Sequence, residues 1–181
     1  MFIKPASQRS SSGATLIDFL FGMTIGMVVI TAVASLTFYT ARSFAAMQNY
    51  ADLDDKSRNA LDYMTRDIRQ VTSLQTFSTN RLDFLDGDGI STLTYLYDPS
   101  VRTLTRIKNG VRQTLLTECD SLSFAMFQRN PIGGTFNQFS NTLDATTCKL
   151  VQVSWICSRA IMQGKVNTES VQTAKIVIRK Q

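Results

Sequence analysis

The chain has 181 residues, with 19 Lys and Arg against 14 Asp and Glu, a formal net charge of +5, and no histidine. The missing histidine removes the commonest general base and the commonest zinc ligand, and no nucleophile elbow, phosphate loop or Cys-x-x-Cys pair takes their place. The basic residues are scattered and never form a run, so the linear sequence offers no track for nucleic acid; a non-catalytic chain without metal or other cofactor is the expectation.

Residues 1–13 read as a short basic leader, with Lys4, Arg9 and the terminal amine followed by three serines and no apolar stretch. Between Arg9 and Arg42 the only charge is Asp18, at the head of an apolar run that continues to Tyr39. A membrane-spanning helix takes about 20 apolar residues, so residues 19–41 are long enough to cross alone, and a carboxylate at the edge of such a run is a functional hypothesis by default. The positive-inside rule would keep the leader cytoplasmic and put the chain from Arg42 onward outside. Ala32-Val-Ala-Ser35 offers a signal-peptidase site, but the run is longer than an ordinary signal core and a helix-forming pattern continues beyond it.

The segment Ser12-Gly13-Ala14-Thr15-Leu16-Ile17-Asp18-Phe19-Leu20 resembles the N-terminal processing motif of type IV pilins and type II secretion pseudopilins. The resemblance implies cleavage between Gly13 and Ala14 by a dedicated prepilin peptidase, methylation of the new N-terminus at Ala14, and assembly with other subunits through the N-terminal helix. It matches at Gly13, Thr15, Leu16, Ile17 and Leu20. It departs at Ala14, where the family usually has Phe, and at Asp18, where it has Glu; aspartate keeps the charge and shortens the reach by one methylene. In the family that acid pairs with the terminal amine of a neighbouring subunit. A charge pair in low dielectric is costly when broken and tolerable when closed, so Asp18 would act as a registry device. The alternative is an acid lying at the lipid headgroups and favouring the helix N-terminus. Gly22-Met-Thr-Ile-Gly26 adds a small-xxx-small pattern for close helix contact.

Neither Gly nor Pro occurs between Met27 and Asp86, and this silence reads as one helix leaving the membrane. Leu61, Met64, Ile68 and Val71 recur at spacings that place them on one face, a stripe suited to receiving a sheet. The more polar residues 48–57 are expected to fray or bend. The expected division is a cleaved leader at 1–13, a transmembrane assembly helix at 14–41, an amphipathic helix at 42–80 and an extracytoplasmic sheet domain at 81–181.

From Arg81 the pattern changes to period two with turn residues at intervals. Leu82 and Phe84 begin a strand, Leu93, Tyr95 and Tyr97 alternate on the next, and Leu104 and Ile107 lie in a third. Asn109-Gly110 is a hairpin signal. Leu122, Phe124 and Met126 form a further strand, residues 129–147 a polar loop, then Val151, Val153 and Trp155 and finally residues 171–179 form strands. The fold class is α+β, a long N-terminal helix packed on a mainly antiparallel β-sheet. Asp83, Asp86 and Asp88 fail the spacing of a calcium loop, with Phe84 at a ligand position and Tyr95 where the bidentate Glu belongs; a glycine-rich turn is the better reading.

Cys148 and Cys157 bracket one predicted strand, which at about 3.3 Å per residue holds them far beyond disulfide reach. If residues 121–128 and 149–156 are antiparallel neighbours, pairing 128 with 149 brings 119 within one step of 157. An oxidising compartment would then join Cys119 to Cys157 and leave Cys148 free or alternatively paired, the alternative being three buried thiols acting as small hydrophobes. Residues 57–71, 93–98, 104–106 and 115–124 diffusely resemble the minor subunits called pilin W and pseudopilin J, low-abundance members found at filament tips and in initiation. The resemblance implies a minor pilin or pseudopilin in the inner membrane, its C-terminal domain periplasmic or extracellular, with no nucleic-acid partner; a major pilin is the close competitor. A signal-anchored single-pass protein with an outer binding or enzymatic domain is the reading from another class. DNA capture would need a clustered basic surface.

Overall fold

The computed structural model describes residues 14–86, 88–129, 139–160 and 169–179. The leader, with Gly13, lies outside the described residues. Among the described residues one α-helix, α1 (Ala14–Gln70), is followed by nine strands: β1 (Ser73–Ser78), β2 (Arg81–Leu85), β3 (Thr92–Asp98), β4 (Thr103–Lys108), β5 (Val111–Leu116), β6 (Cys119–Arg129), β7 (Phe139–Asn141), β8 (Cys148–Ser158) and β9 (Glu169–Val177). The chain divides into two compact units, residues 1–44 and residues 45–181. The fold is α+β, as expected, but the strands form two antiparallel sheets, a meander β1-β2-β3-β4-β5 and a four-stranded sheet ordered β7-β6-β8-β9.

In the second unit the buried helix positions are Leu53, Ser57, Ala60, Met64, Asp67 and Ile68, with Val71 buried just past the helix end. Leu53, Ser57, Ala60, Met64 and Asp67 follow alternating steps of four and three, and Ile68, four residues after Met64, stands beside Asp67 on the same face. The stripe therefore starts earlier than the expected one and includes a serine and an aspartate, while Leu61 is only partly buried at its margin. Residues 48–57 are helical throughout and do not fray. The helix also ends ten residues before the expected boundary at 80. Val71 N–H closes the last helical bond onto Asp67, and Thr72 N–H already bonds Leu85 of β2, so pairing with the sheet replaces a glycine stop signal.

The meander is built by period-two burial: Leu82 and Phe84 on β2, Leu93, Tyr95 and Tyr97 on β3, Leu104 on β4 and Leu116 on β5 all face the core. Asn109 and Gly110 join β4 to β5 with φ values of 51° and 80°, the two left-handed residues that a type I′ hairpin requires. The second sheet contributes Leu122, Phe124, Met126, Val151, Val153 and Trp155 to the same core. It is stitched to the first by Phe124 N–H donating to Thr79 O at 3.0 Å and Cys119 N–H donating to Arg102 O at 2.9 Å.

Candidate functional site

Among the expected site residues, Ala14 is where α1 begins. Leu16, Ile17 and Leu20 are exposed, as are Phe19, Phe21, Met23 and nearly every large apolar residue through Tyr39. A helix apolar all round is not a stable surface in water, and α1 is long and apolar enough to cross a membrane by length and composition. Its hydroxyls suit that solvent. Thr24 donates to Phe21 O, Thr31 to Met27 O, Ser35 to Thr31 O, Thr37 to Val33 O and Thr40 to Leu36 O, all at 2.7–2.9 Å. Each of these five hydroxyls is thus satisfied by its own helix, as a hydrocarbon environment requires. Asp18 is exposed on this helix and has no ion-pair partner among the described residues. A Cβ added at Gly22 or Gly26 would meet nothing within 4 Å among the described residues, so none of them requires glycine at either position.

The sheet-bearing unit is fixed to its helix segment by three polar ties that sequence reasoning missed. Asp67 accepts from Tyr95 Oη at 2.8 Å and from Arg106 Nε at 2.5 Å, joining the helix to β3 and β4 inside the core. Burial and the Asp67 carboxylate push the Tyr95 phenol above its ordinary range. The same carboxylate holds the Arg106 guanidinium more firmly charged. Trp155 Nε1 donates to Ser57 Oγ at 3.3 Å, a second buried tie from β8. Arg159 pairs with Glu118 at 2.6 Å and Asp52 at 2.9 Å and reaches Asn49 at 3.3 Å, so it spans the end of β8, the β5–β6 turn and the helix. From the sequence Asp67 is expected away from the apolar stripe, with Asp62, Arg66 and Arg69; the structure instead buries it on that face, and its partners 28 and 39 residues away were not readable.

The three cysteines are buried thiols. Cys119 and Cys157 are Cα partners in the β6–β8 ladder, whereas Cys148 stands opposite Gln128 and points its thiol at Leu150 O, 3.7 Å away. Pairing 128 with 149 would have set 119 against 158; irregularities at Cys119/Ser121 and Phe127/Gln128 shift both ends by one residue. Burial raises the Cys148 thiol to about 11. No group of His, Cys, Asp or Glu suited to a metal ion occurs among the described residues. Asp88 instead accepts from Ile90 N–H and from Ser91 N–H and Oγ; these bonds depress its carboxyl to about 2, as in a turn-capping aspartate. The scattered basic residues do converge at one shallow concavity of about 390 Å³, where Arg66, Arg69 and Arg179 meet Asp62, Thr65 and Gln70. Arg66 there lies over the Tyr63 ring at 5.4 Å.

No protein-family model matches the chain, and no curated protein matches it either.

Proposed function

We propose that this chain is a minor type IV pilin or pseudopilin, a structural subunit cleaved after Gly13, methylated at Ala14 and assembled through its N-terminal helix into a pilus or secretion pseudopilus. The observation that carries the reading is the first stretch of α1, residues 14–41, whose large apolar residues are exposed all round, whose hydroxyls from Thr24 to Thr40 bond within the helix, and whose one carboxylate, Asp18, lies one turn after Ala14. Such a helix suits two successive environments, a bilayer before assembly and neighbouring helices after it. Asp18 supplies register by pairing with the terminal amine of the next subunit, Gly22 and Gly26 allow close approach, and the sheets supply a surface for partner choice. The work of the molecule is assembly rather than catalysis, with the prepilin peptidase, the inner membrane and other subunits as its partners.

Intact mass and N-terminal sequencing of the protein recovered from membranes test this directly. A chain starting at Ala14 and heavier by one methyl group is the expected result. A chain starting at Met1 would mark a plain membrane anchor, and one starting near Ser35 an ordinary signal peptide.

A further inference from the structure

We infer that Cys119 and Cys157 are the two halves of a cross-strand disulfide that closes the end of the β6–β8 pair, leaving Cys148 as a permanent thiol. The hydrogen-bond pattern carries this beyond mere proximity. Directly opposed residues in an antiparallel ladder alternate between pairs that exchange backbone bonds and pairs that do not, and the second kind has the closer Cα atoms, about 4.5 Å apart. Ser158 N–H donates to Glu118 O at 3.0 Å, so the bonded position is the neighbouring pair 118/158. Cys119 N–H turns away from β8 and donates to Arg102 O at 2.9 Å. Cys119 and Cys157 therefore occupy the unbonded site, and its spacing falls within the Cα range of about 4.4–6.8 Å that a disulfide spans. Both thiols are buried and within hydrogen-bonding reach of each other.

Two guanidinium groups hold the thiols in this arrangement. Arg102 donates to Glu118 O at 3.1 Å and Ser158 O at 3.0 Å and pairs with Asp120 at 2.6 Å, so it bridges the strands beside the cysteines. Arg159 holds Glu118 from the other side and carries the tie on to Asn49 and Asp52 of the helix. A covalent bond between residues 119 and 157 thus fastens the junction through which the second sheet grips the helix. Bond formation follows thiol–disulfide exchange. One cysteine thiolate attacks an oxidised disulfide donor and releases one donor thiol. The second cysteine thiolate then attacks the mixed disulfide and releases the other. Two protons and two electrons leave the pair, and the donor disulfide is reduced to two thiols.

That the bond forms in the cell rests on the proposed extracytoplasmic placement of the sheets; that it can form rests on geometry alone. The test uses the full chain in nonionic detergent, exposed to oxidised glutathione, alkylated with iodoacetamide under denaturing conditions and digested with trypsin. Cleavage after Arg112, Arg129, Lys149 and Arg159 puts each cysteine on its own peptide, 113–129, 130–149 and 150–159. The expected result is peptides 113–129 and 150–159 joined, lighter than their sum by two hydrogen atoms, with peptide 130–149 alkylated, and the same linkage in a Cys148→Ser variant. Alkylation of all three cysteines, or a linkage through Cys148, would overturn the inference. The same digest after alkylation of intact cells separates the two claims. Linked peptides there support both, while a linkage formed only by added glutathione upholds the geometry and overturns the extracytoplasmic placement.

Discussion

Asp67 is a buried acid whose two partners come from different strands, so its substitutions separate charge from hydrogen bonding. Asp67→Ala leaves Arg106 as an unpaired, largely buried cation and is expected to cost about 3–5 kcal/mol. Tyr95→Phe removes one hydrogen bond while the ion pair stays closed and is expected to cost about 1 kcal/mol. Urea unfolding followed by fluorescence of Trp155, the only tryptophan and a core residue, would measure both. Tyr95 also sets a pH dependence. Its folded phenol is raised by burial and by Asp67, whereas the unfolded phenol titrates near its ordinary value of about 10. The stability it contributes is therefore complete below about pH 10 and is lost as pH climbs from there toward the folded value. The wild-type urea midpoint should fall between about pH 9 and pH 11, and Tyr95→Phe should flatten that limb. Tyr97, also raised by burial, leaves a residual slope. A wild-type midpoint that does not move over this range would count against the role given to Tyr95.

At the scale of elements, the helix face and the β4–β5 hairpin make the sharpest predictions. Met64 is fully buried at the centre of the helix stripe, and Met64→Ala is expected to cost about 2–5 kcal/mol through the cavity it leaves. Gly110→Ala forces a side chain into a left-handed position with open space around it, so it should cost about 1–2 kcal/mol by backbone strain alone; both are read from the same urea transitions. These two elements were legible in the sequence because their signals are local, a repeat along one helix and a dipeptide that only one turn type accepts. Strand β1 was not. Residues 73–78 carry no Gly or Pro before them and a burial pattern with only Leu74 fully inside, so nothing local opposed a longer helix; the stop comes from the bond between Thr72 and Leu85. Strand β7, three residues long and with no buried side chain, had no apolar alternation to read. The division into two sheets turns on the step from β5 to β6 through Glu118, which adopts φ 60° without being glycine, and the arginines gathered around that step come from distant parts of the chain. The Cys119 register came within one residue because β6 and β8 are long and alternate cleanly. The ladder irregularity beside Cys119 then supplied the last step.

For the whole molecule, the sequence divides at the end of the apolar run, and the structure shows a membrane-length helix followed by a packed α+β unit. If the helix serves assembly, Asp18→Ala should still be processed but should enter filaments poorly, as scored by the fraction recovered in sheared or pelleted polymer. Wild-type incorporation would leave Asp18 as a headgroup-level acid. Replacement of Gly13 by leucine should accumulate uncleaved precursor on immunoblots, and normal processing would remove the prepilin reading. The hydroxyl ladder from Thr24 to Thr40 has a mechanical side as well. Each of these side chains shares a carbonyl with the main-chain N–H that the helix aims at it, and such sharing slightly loosens and bends a helix. The apolar run is therefore the stretch of α1 in which a bend costs least.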